Sequence, residues 1–206
     1  PSAELPSLAG PAALSMDAAN VYVASRASGS VTTFTRGAGG ALTQTGCISQ
    51  EEISGCTTAA QSSLNNPNGV SVDAANLYVT SRTSGSVTTF TRGAGGELTQ
   101  TGCISQEEIS GCTTAPQSSL DGATGVRMDA ANLYVASETS DSVTMFTRGV
   151  GGELAQTGCI SQAVISGCTT APQPSLNGAV GVSMDAANLY VASSDSDSVT
   201  TFTRGV

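Results

Sequence analysis

Apolar and polar residues alternate along this chain in short runs. In "GVSVD" Val70 and Val72 share one face, and in "NLYVTS" Leu77 and Val79 oppose Tyr78 and Thr80. In "SVTTFTR" Val87, Thr89 and Thr91 alternate with Thr88, Phe90 and Arg92, and "ELTQTG" continues the pattern. Runs of this length, rich in Val, Thr, Tyr and Phe, predict β-strands, because such side chains fit a pleated surface. Turn chemistry separates them: Asp-Ala-Ala-Asn at 73–76, Thr-Ser-Gly-Ser at 83–86 and Gly-Ala-Gly-Gly at 93–96. No window carries a helical period.

The runs themselves recur. "MDAANVYVAS" begins at Met16, with close copies at Val72, Met128 and Met184, and "FTRG" begins at Phe34, Phe90, Phe146 and Phe202, a spacing of 56 residues throughout. Each period reads as four short antiparallel strands, a to d, followed by a long loop. Four-stranded units at this period predict an all-β fold, a β-propeller with one blade per repeat. Four copies make a four-bladed propeller the natural closure, with blades near 13–48, 69–104, 125–160 and 181–206 in one domain. In that geometry the d-to-a and b-to-c loops share one face, and the a-to-b and c-to-d loops share the other.

The last blade is short of its outer strand, because the fourth copy ends in "TFTRGV". The N-terminal "PSAELPSLAG" does not replace it, since it aligns with the linker "APQPSLNGAV" at 171–180. Strand c of blade four is therefore expected as an open edge, explained first by a trimmed end or by closure that tolerates three strands, and alternatively by a partner segment, a second copy included, that completes the blade by strand addition.

Six cysteines lie in three copies of one loop, as Cys47/Cys56, Cys103/Cys112 and Cys159/Cys168. The repeat predicts that each pair closes its own loop, a staple contributing about 2–3 kcal/mol. Zinc would find two thiolates and no histidine, half of a tetrahedral site. No C-x-x-C redox spacing occurs. Disulfides in turn predict a secreted, extracellular or cell-surface location.

Composition narrows the function. With 7 Lys+Arg against 16 Asp+Glu the formal net charge is −9, so the surface repels nucleic acid. No apolar run is long enough to predict a membrane span. No signal peptide is evident, and a chain that opens on Pro1 reads as processed or trimmed. Histidine and lysine are absent, which excludes Ser-His-Asp, Cys-His and Schiff-base chemistry.

Carboxylates remain. Glu51, Glu52, Glu107 and Glu108 sit in the first two stapled loops, but the third carries Ala163 and Val164, so a solvated surface is expected there rather than a catalytic pair. Asp195 and Asp197 alternate in "SSDSDS", with Asp141 one repeat before Asp197, a weak calcium candidate. Asp17, Asp73, Asp129 and Asp185 each precede Asn by three positions and are expected to cap their own turns. Arg36, Arg92, Arg148 and Arg204 recur at the end of strand c as architecture. Arg26 and Arg82 occupy a variable position held by Glu138 and Ser194 in the later copies. With Arg127 and the four loop glutamates, they make up the candidate binding face.

"GVSVDAANLYVTS…SVTTFTR…GGELTQTGCIS" resembles the repeat of bacterial secreted β-propeller proteins of the lactonase-like and NHL- or YncE-like groups. The resemblance covers essentially the whole chain and implies the fold. This chain has Asp-Ala-Ala-Asn where many relatives have Pro-Asp-Gly, and it lacks the histidines and most of the acidic and arginine constellation of an active lactonase. The expectation is therefore a non-catalytic extracellular binding or adhesion module, offering the Cys-loop face to a protein or glycan, with no cofactor. Four Tyr, four Phe and no Trp leave little for stacking on sugars. A structural subunit of a cell-surface assembly or extracellular filament, joined through the open edge, is the alternative. A lactonase-like hydrolase stands third.

Overall fold

A computed structural model describes residues 6–204. Blade one contains β1 (Pro11–Met16), β2 (Asn20–Ser25), β3 (Ser30–Arg36), β4 (Leu42–Ser49) and β5 (Thr57–Thr58). Blade two contains β6 (Pro67–Val72), β7 (Asn76–Ser81), β8 (Ser86–Arg92), β9 (Leu98–Ser105) and β10 (Thr113–Thr114). Blade three contains β11 (Ala123–Met128), β12 (Asn132–Ser137), β13 (Ser142–Arg148), β14 (Leu154–Ser161) and β15 (Thr169–Thr170). Blade four contains β16 (Ala179–Met184), β17 (Asn188–Ser193) and β18 (Ser198–Thr203). The fold is of the four-bladed propeller type expected, and among the described residues the last blade has three strands, without an outer one.

Each blade is an antiparallel meander in sequence order, with one addition the alternation did not show. After the stapled loop the chain returns as a two-residue strand, parallel to strand d: Thr57 pairs with Ile48 and Thr58 with Ser49. The three disulfides join Cys47–Cys56, Cys103–Cys112 and Cys159–Cys168, each with Cα atoms 4.7 Å apart, and no described cysteine is free. The staple holds the return strand against the blade it has just left.

Packing runs from one blade to the next. Tyr22, Ala24 and Val31 of blade one are buried with Leu77, Val79 and Phe90 of blade two. Tyr78 and Val87 meet Leu133, Val135 and Phe146 in the same way, and Tyr134, Ala136 and Val143 meet Leu189 and Val191. The central strand β7 is buried on both faces for this reason. No buried cluster among the described residues joins blade four to blade one, so the four blades form an open arc and not the closed ring that four copies had predicted.

The linkers are pinned by hydroxyls. Ser86 and Thr88 donate to the Ser63 carbonyl at 2.8 and 3.2 Å, and Ser142 and Thr144 donate to the Ser119 carbonyl. Ser7 plays this part for blade one, accepting from Ser30 at 2.6 Å and Thr32 at 3.0 Å. The N-terminal segment thus occupies a linker position, as its alignment with 171–180 predicts.

Candidate functional site

Two clefts open along the line of inner strands, one at each end. The first, about 600 Å³, lies at the b-to-c loop end. Its wall is the backbone of Gly69, Gly125 and Gly181 with Val70, Val126 and Val182, and its rim carries Arg26, Asn68, Arg82 and Glu138. Strand a of blades two, three and four brings its glycine to this wall, with Ala13 in that place in blade one, and strand b of blades one, two and three ends at the rim. The variable repeat position is thus brought to one opening.

Neighbouring blades then link there. Arg26 donates to Asn68 Oδ1 through Nε at 2.9 Å and Nη2 at 2.6 Å. Arg82 Nε donates to Glu138 Oε2 at 2.9 Å, with both side chains partly open to solvent. Two guanidinium groups, one carboxylate and one amide therefore converge on one open cleft. Such a set can hold an anionic or carbonyl-bearing ligand and move a proton.

Arg127 does not join them. It lies at the opposite end of strand a, beside the second cleft of about 740 Å³, with Asp73, Asp129 and Arg148. Glu51, Glu52, Glu107 and Glu108 are exposed in the stapled loops and do not line the first cleft. Glu107 instead borders a shallower depression with Thr83, Ser84 and Gly85, which puts the Cys loop on the b-to-c face as expected.

The calcium candidates have other work. Asp141 and Asp197 adopt φ +48°, where the first two copies have Gly29 and Gly85, also at positive φ. Asp tolerates this left-handed turn better than most side chains do. Asp141 Oδ1 also accepts from the Gly178 N–H at 2.7 Å, and Asp195 Oδ1 accepts from Ser194 Oγ at 3.0 Å. No group of three or more potential ligands gathers among the described residues.

The turn aspartates cap their turns as predicted, and do something further. Asp73 Oδ1 accepts from the N–H groups of Ala75 at 2.8 Å and Asn76 at 2.7 Å. Its Oδ2 takes an ion pair from Arg148 of the next blade. Arg148 also donates to the Tyr78 hydroxyl at 3.1 Å and to the Asp129 carbonyl, with its guanidinium 5.0 Å from the Tyr78 ring centre. Arg92 repeats this on Asp17 and Tyr22, and Arg204 on Asp129 and Tyr134. The recurrent arginines are architecture: each bonds the turn carbonyl of its own blade, and Arg92, Arg148 and Arg204 also reach the blade before.

Burial raises the tyrosines in these clamps. Tyr78 is pushed up to about 12, mainly by burial and further by the Glu153 charge. An unfolded tyrosine loses its proton near 10. The folded form therefore holds its proton longer, and the stability this confers is complete below pH 10 and lost as pH rises through about 12. Melting temperatures are expected to fall across that alkaline window, and less steeply in Tyr78→Phe.

No protein-family model and no curated protein matches the sequence. Solved structures share the fold. A Bacteroides uniformis protein named for 6-phosphogluconolactonase activity superposes with a TM-score of 0.66 at 14% identity, over 95% of this chain and 50% of its own. A Bacteroides fragilis protein of the same name gives 0.52 at 17%, over 97% and 67%. The periplasmic gluconolactonase of Pseudomonas aeruginosa gives 0.53 at 18%, over 78% and 40%. The chain thus spans about half the length of such neighbours, and the likeness establishes a β-propeller fold.

These neighbours overturn the expectation of a non-catalytic binding module or filament subunit. Three of these neighbours are named for lactonase activity, the hydrolase class that the sequence had placed third. The three disulfides are in keeping with an oxidising environment, and no described helix is long and apolar enough to cross a membrane.

Proposed function

We propose that this chain forms part of a secreted lactonase-type propeller that hydrolyses a sugar lactone at the Arg26–Asn68 and Arg82–Glu138 rim. The observation that carries this reading is the conversion of one repeat position. The same place in successive blades holds Arg26, Arg82 and Glu138, and the blades bring the three to one cleft. Two copies supply electrophiles and the third supplies a base.

The chemistry needs no other residue type. Glu138 accepts a proton from water as that water attacks the lactone carbonyl carbon. The carbonyl oxygen becomes an oxyanion and is held by a guanidinium group, with Arg26 free to approach it from the Asn68 side. The tetrahedral centre collapses, the ring C–O bond breaks, and Glu138 returns its proton to the leaving oxygen. Water is consumed and a hydroxy acid is formed. The arginines also suit a phosphate or carboxylate on the sugar, which they can grip in bidentate fashion. The neighbours' names supply the substrate class, gluconolactone and its 6-phosphate.

The test is lactone hydrolysis followed by pH-stat with both compounds. Purified protein is expected to accelerate the reaction above buffer, and Glu138→Gln to lose about a hundredfold of that acceleration. Because Glu138 sits at an open rim, the variant should melt with the wild type. Hydrolysis equal to buffer, or unchanged in Glu138→Gln, would refute the assignment.

A further inference from the structure

One place in the repeat is held by glycine in three copies and by asparagine in the remaining one. Gly10, Gly122 and Gly178 adopt φ of 66°, 70° and 70°, and the equivalent Asn66 adopts 60°. This left-handed region is open to glycine and costs other residues energy, with Asn among the least penalised. The position has one backbone task in every blade. Its carbonyl accepts the N–H of the residue that follows strand b: Gly10 from Arg26, Asn66 from Arg82, Gly122 from Glu138 and Gly178 from Ser194, at 2.8 to 2.9 Å. That task needs no side chain. A Cβ on Gly122 would stand 2.6 Å from the Thr139 nitrogen, and one on Gly178 would stand 2.7 Å from Ser194 Oγ. Blade two therefore admits a side chain where blades three and four exclude one.

That side chain belongs to the first cleft. Asn66 lines it together with Arg26, Asn68, Arg82 and Glu138. Those four pair with one another, Arg26 with Asn68 and Arg82 with Glu138. Asn66 Oδ1, by contrast, is buried and meets no donor among the described residues. An amide oxygen withdrawn from water without a partner costs free energy, and so does the left-handed backbone beneath it. No bond of the Asn66 side chain among the described residues offsets either cost. Two penalties on one residue, in the wall of a cleft, mark a group kept for something the cleft receives. The terminal torsion of Asn is soft, so the amide can turn its oxygen to that ligand.

From this we propose that Asn66 is a specificity-determining residue of the first cleft and binds a hydroxyl group of the sugar lactone. The proposal rests on the reading of that cleft as a lactonase site, and adds what separates a sugar lactone from a plain ring ester. Arg26 and Arg82 recognise charge and the carbonyl oxygen, and Glu138 handles the proton. None of the three reports whether the ring carries hydroxyls. A side-chain amide both donates and accepts, which matches a hydroxyl, and a ligand lacking that hydroxyl leaves the amide unpaired. The contact persists in the hydroxy acid formed, so binding of the product reads it without turnover.

Titration calorimetry on the whole chain with gluconate and with hexanoate tests this. The two acids share carbon-chain length and charge, and gluconate alone carries hydroxyls. The wild type is expected to bind gluconate about tenfold more tightly than hexanoate, and Asn66→Gly to lose most of that preference. Glycine stands here in the other three copies. Asn66→Gly should therefore melt no lower than the wild type, having shed an unpaired oxygen and a left-handed side chain. A wild type that binds gluconate no better than hexanoate would overturn the proposal. So would an Asn66→Gly variant that keeps the preference, and if it also melts lower, Asn66 belongs to the structure of the linker. Hydrolysis is separable from both. A preference that depends on Asn66, without lactone turnover, would sink the catalytic reading and leave this contact standing. Lactone turnover without the preference would do the reverse.

Discussion

Arg148→Ala is expected to cost about 3 kcal/mol of stability, and Arg36→Ala less than about 0.5, although the two arginines hold the same place in the repeat. The side chain of Arg148 is 7% exposed and serves four acceptors on two blades: the Asp73 carboxylate, the Tyr78 hydroxyl and the Asp129 and Ala130 carbonyls. Removing it leaves a partly buried carboxylate without its charge partner and strips the cation from the Tyr78 ring, each a recognised source of large losses. Asp73 retains some solvent access, which keeps the figure at the low end for a broken buried pair. Arg36 has only its single bond within blade one to lose. Urea unfolding of both variants, comparing midpoints at constant slope, checks the contrast. Arg148→Lys should recover little, because one ammonium cannot span these acceptors. Equal costs for Arg148→Ala and Arg36→Ala would mean that the clamp between blades contributes nothing.

This clamp marks where the sequence stops being readable. Alternation, turn residues and the fixed period were sufficient for strands a to d, for the pairing of each cysteine with its loop mate, and for the short last blade, because all of these are local or repeat without change. The partners of the clamp are not local. Arg92 meets Asp17 from 75 residues away and Tyr22 from 70, a separation with no local pattern to reveal it. The recurrence of Arg, Asp and Tyr in every copy was visible, but it could equally have meant pairing within a blade. Two other features could have been found. Arg127 stands just before Met128 and the Asp129 turn, so strand direction alone puts it at the a-to-b end, away from Arg26 and Arg82. Asp141 and Asp197 stand where the first two copies have Gly29 and Gly85, a substitution that signals a left-handed turn. The two-residue return strands β5, β10 and β15 are too short to show any alternation. For the candidate site, the variable position held by Arg26, Arg82 and Glu138 was evident in the alignment of copies. Its cleft was not, since only the packing of strands a around the arc creates it.

Gly69→Ala is expected to destabilise by about 3 kcal/mol, while Gly181→Ala is nearly silent. The inner strands converge where successive blades meet, and Gly69 lies in the tightest part of that convergence. Thr80 Oγ1 donates to the Thr124 carbonyl at 2.5 Å, bridging blade two to blade three. A Cβ on Gly69 would collide with the Thr124 carbonyl oxygen and stand 2.5 Å from Thr80 Oγ1, with Val126 Cγ1 at 3.2 Å. The methyl therefore enters the hydrogen bond itself. Either the bond breaks, leaving a buried donor and acceptor unpaired, or β6 and β11 move apart and loosen the apolar junction behind them. At Gly181 the nearest atom would be the Ala192 methyl at 3.5 Å, an ordinary contact. Blade one already carries Ala13 at this position. The difference belongs to place in the arc rather than to the repeat, and urea midpoints of the two variants measure it directly. Gly69 also walls the cleft beneath Arg26, Arg82 and Glu138. A methyl that forces β6 from β11 must shift Arg82 relative to Glu138, so Gly69→Ala should lose lactone hydrolysis under conditions where it remains folded, and Gly181→Ala should keep it.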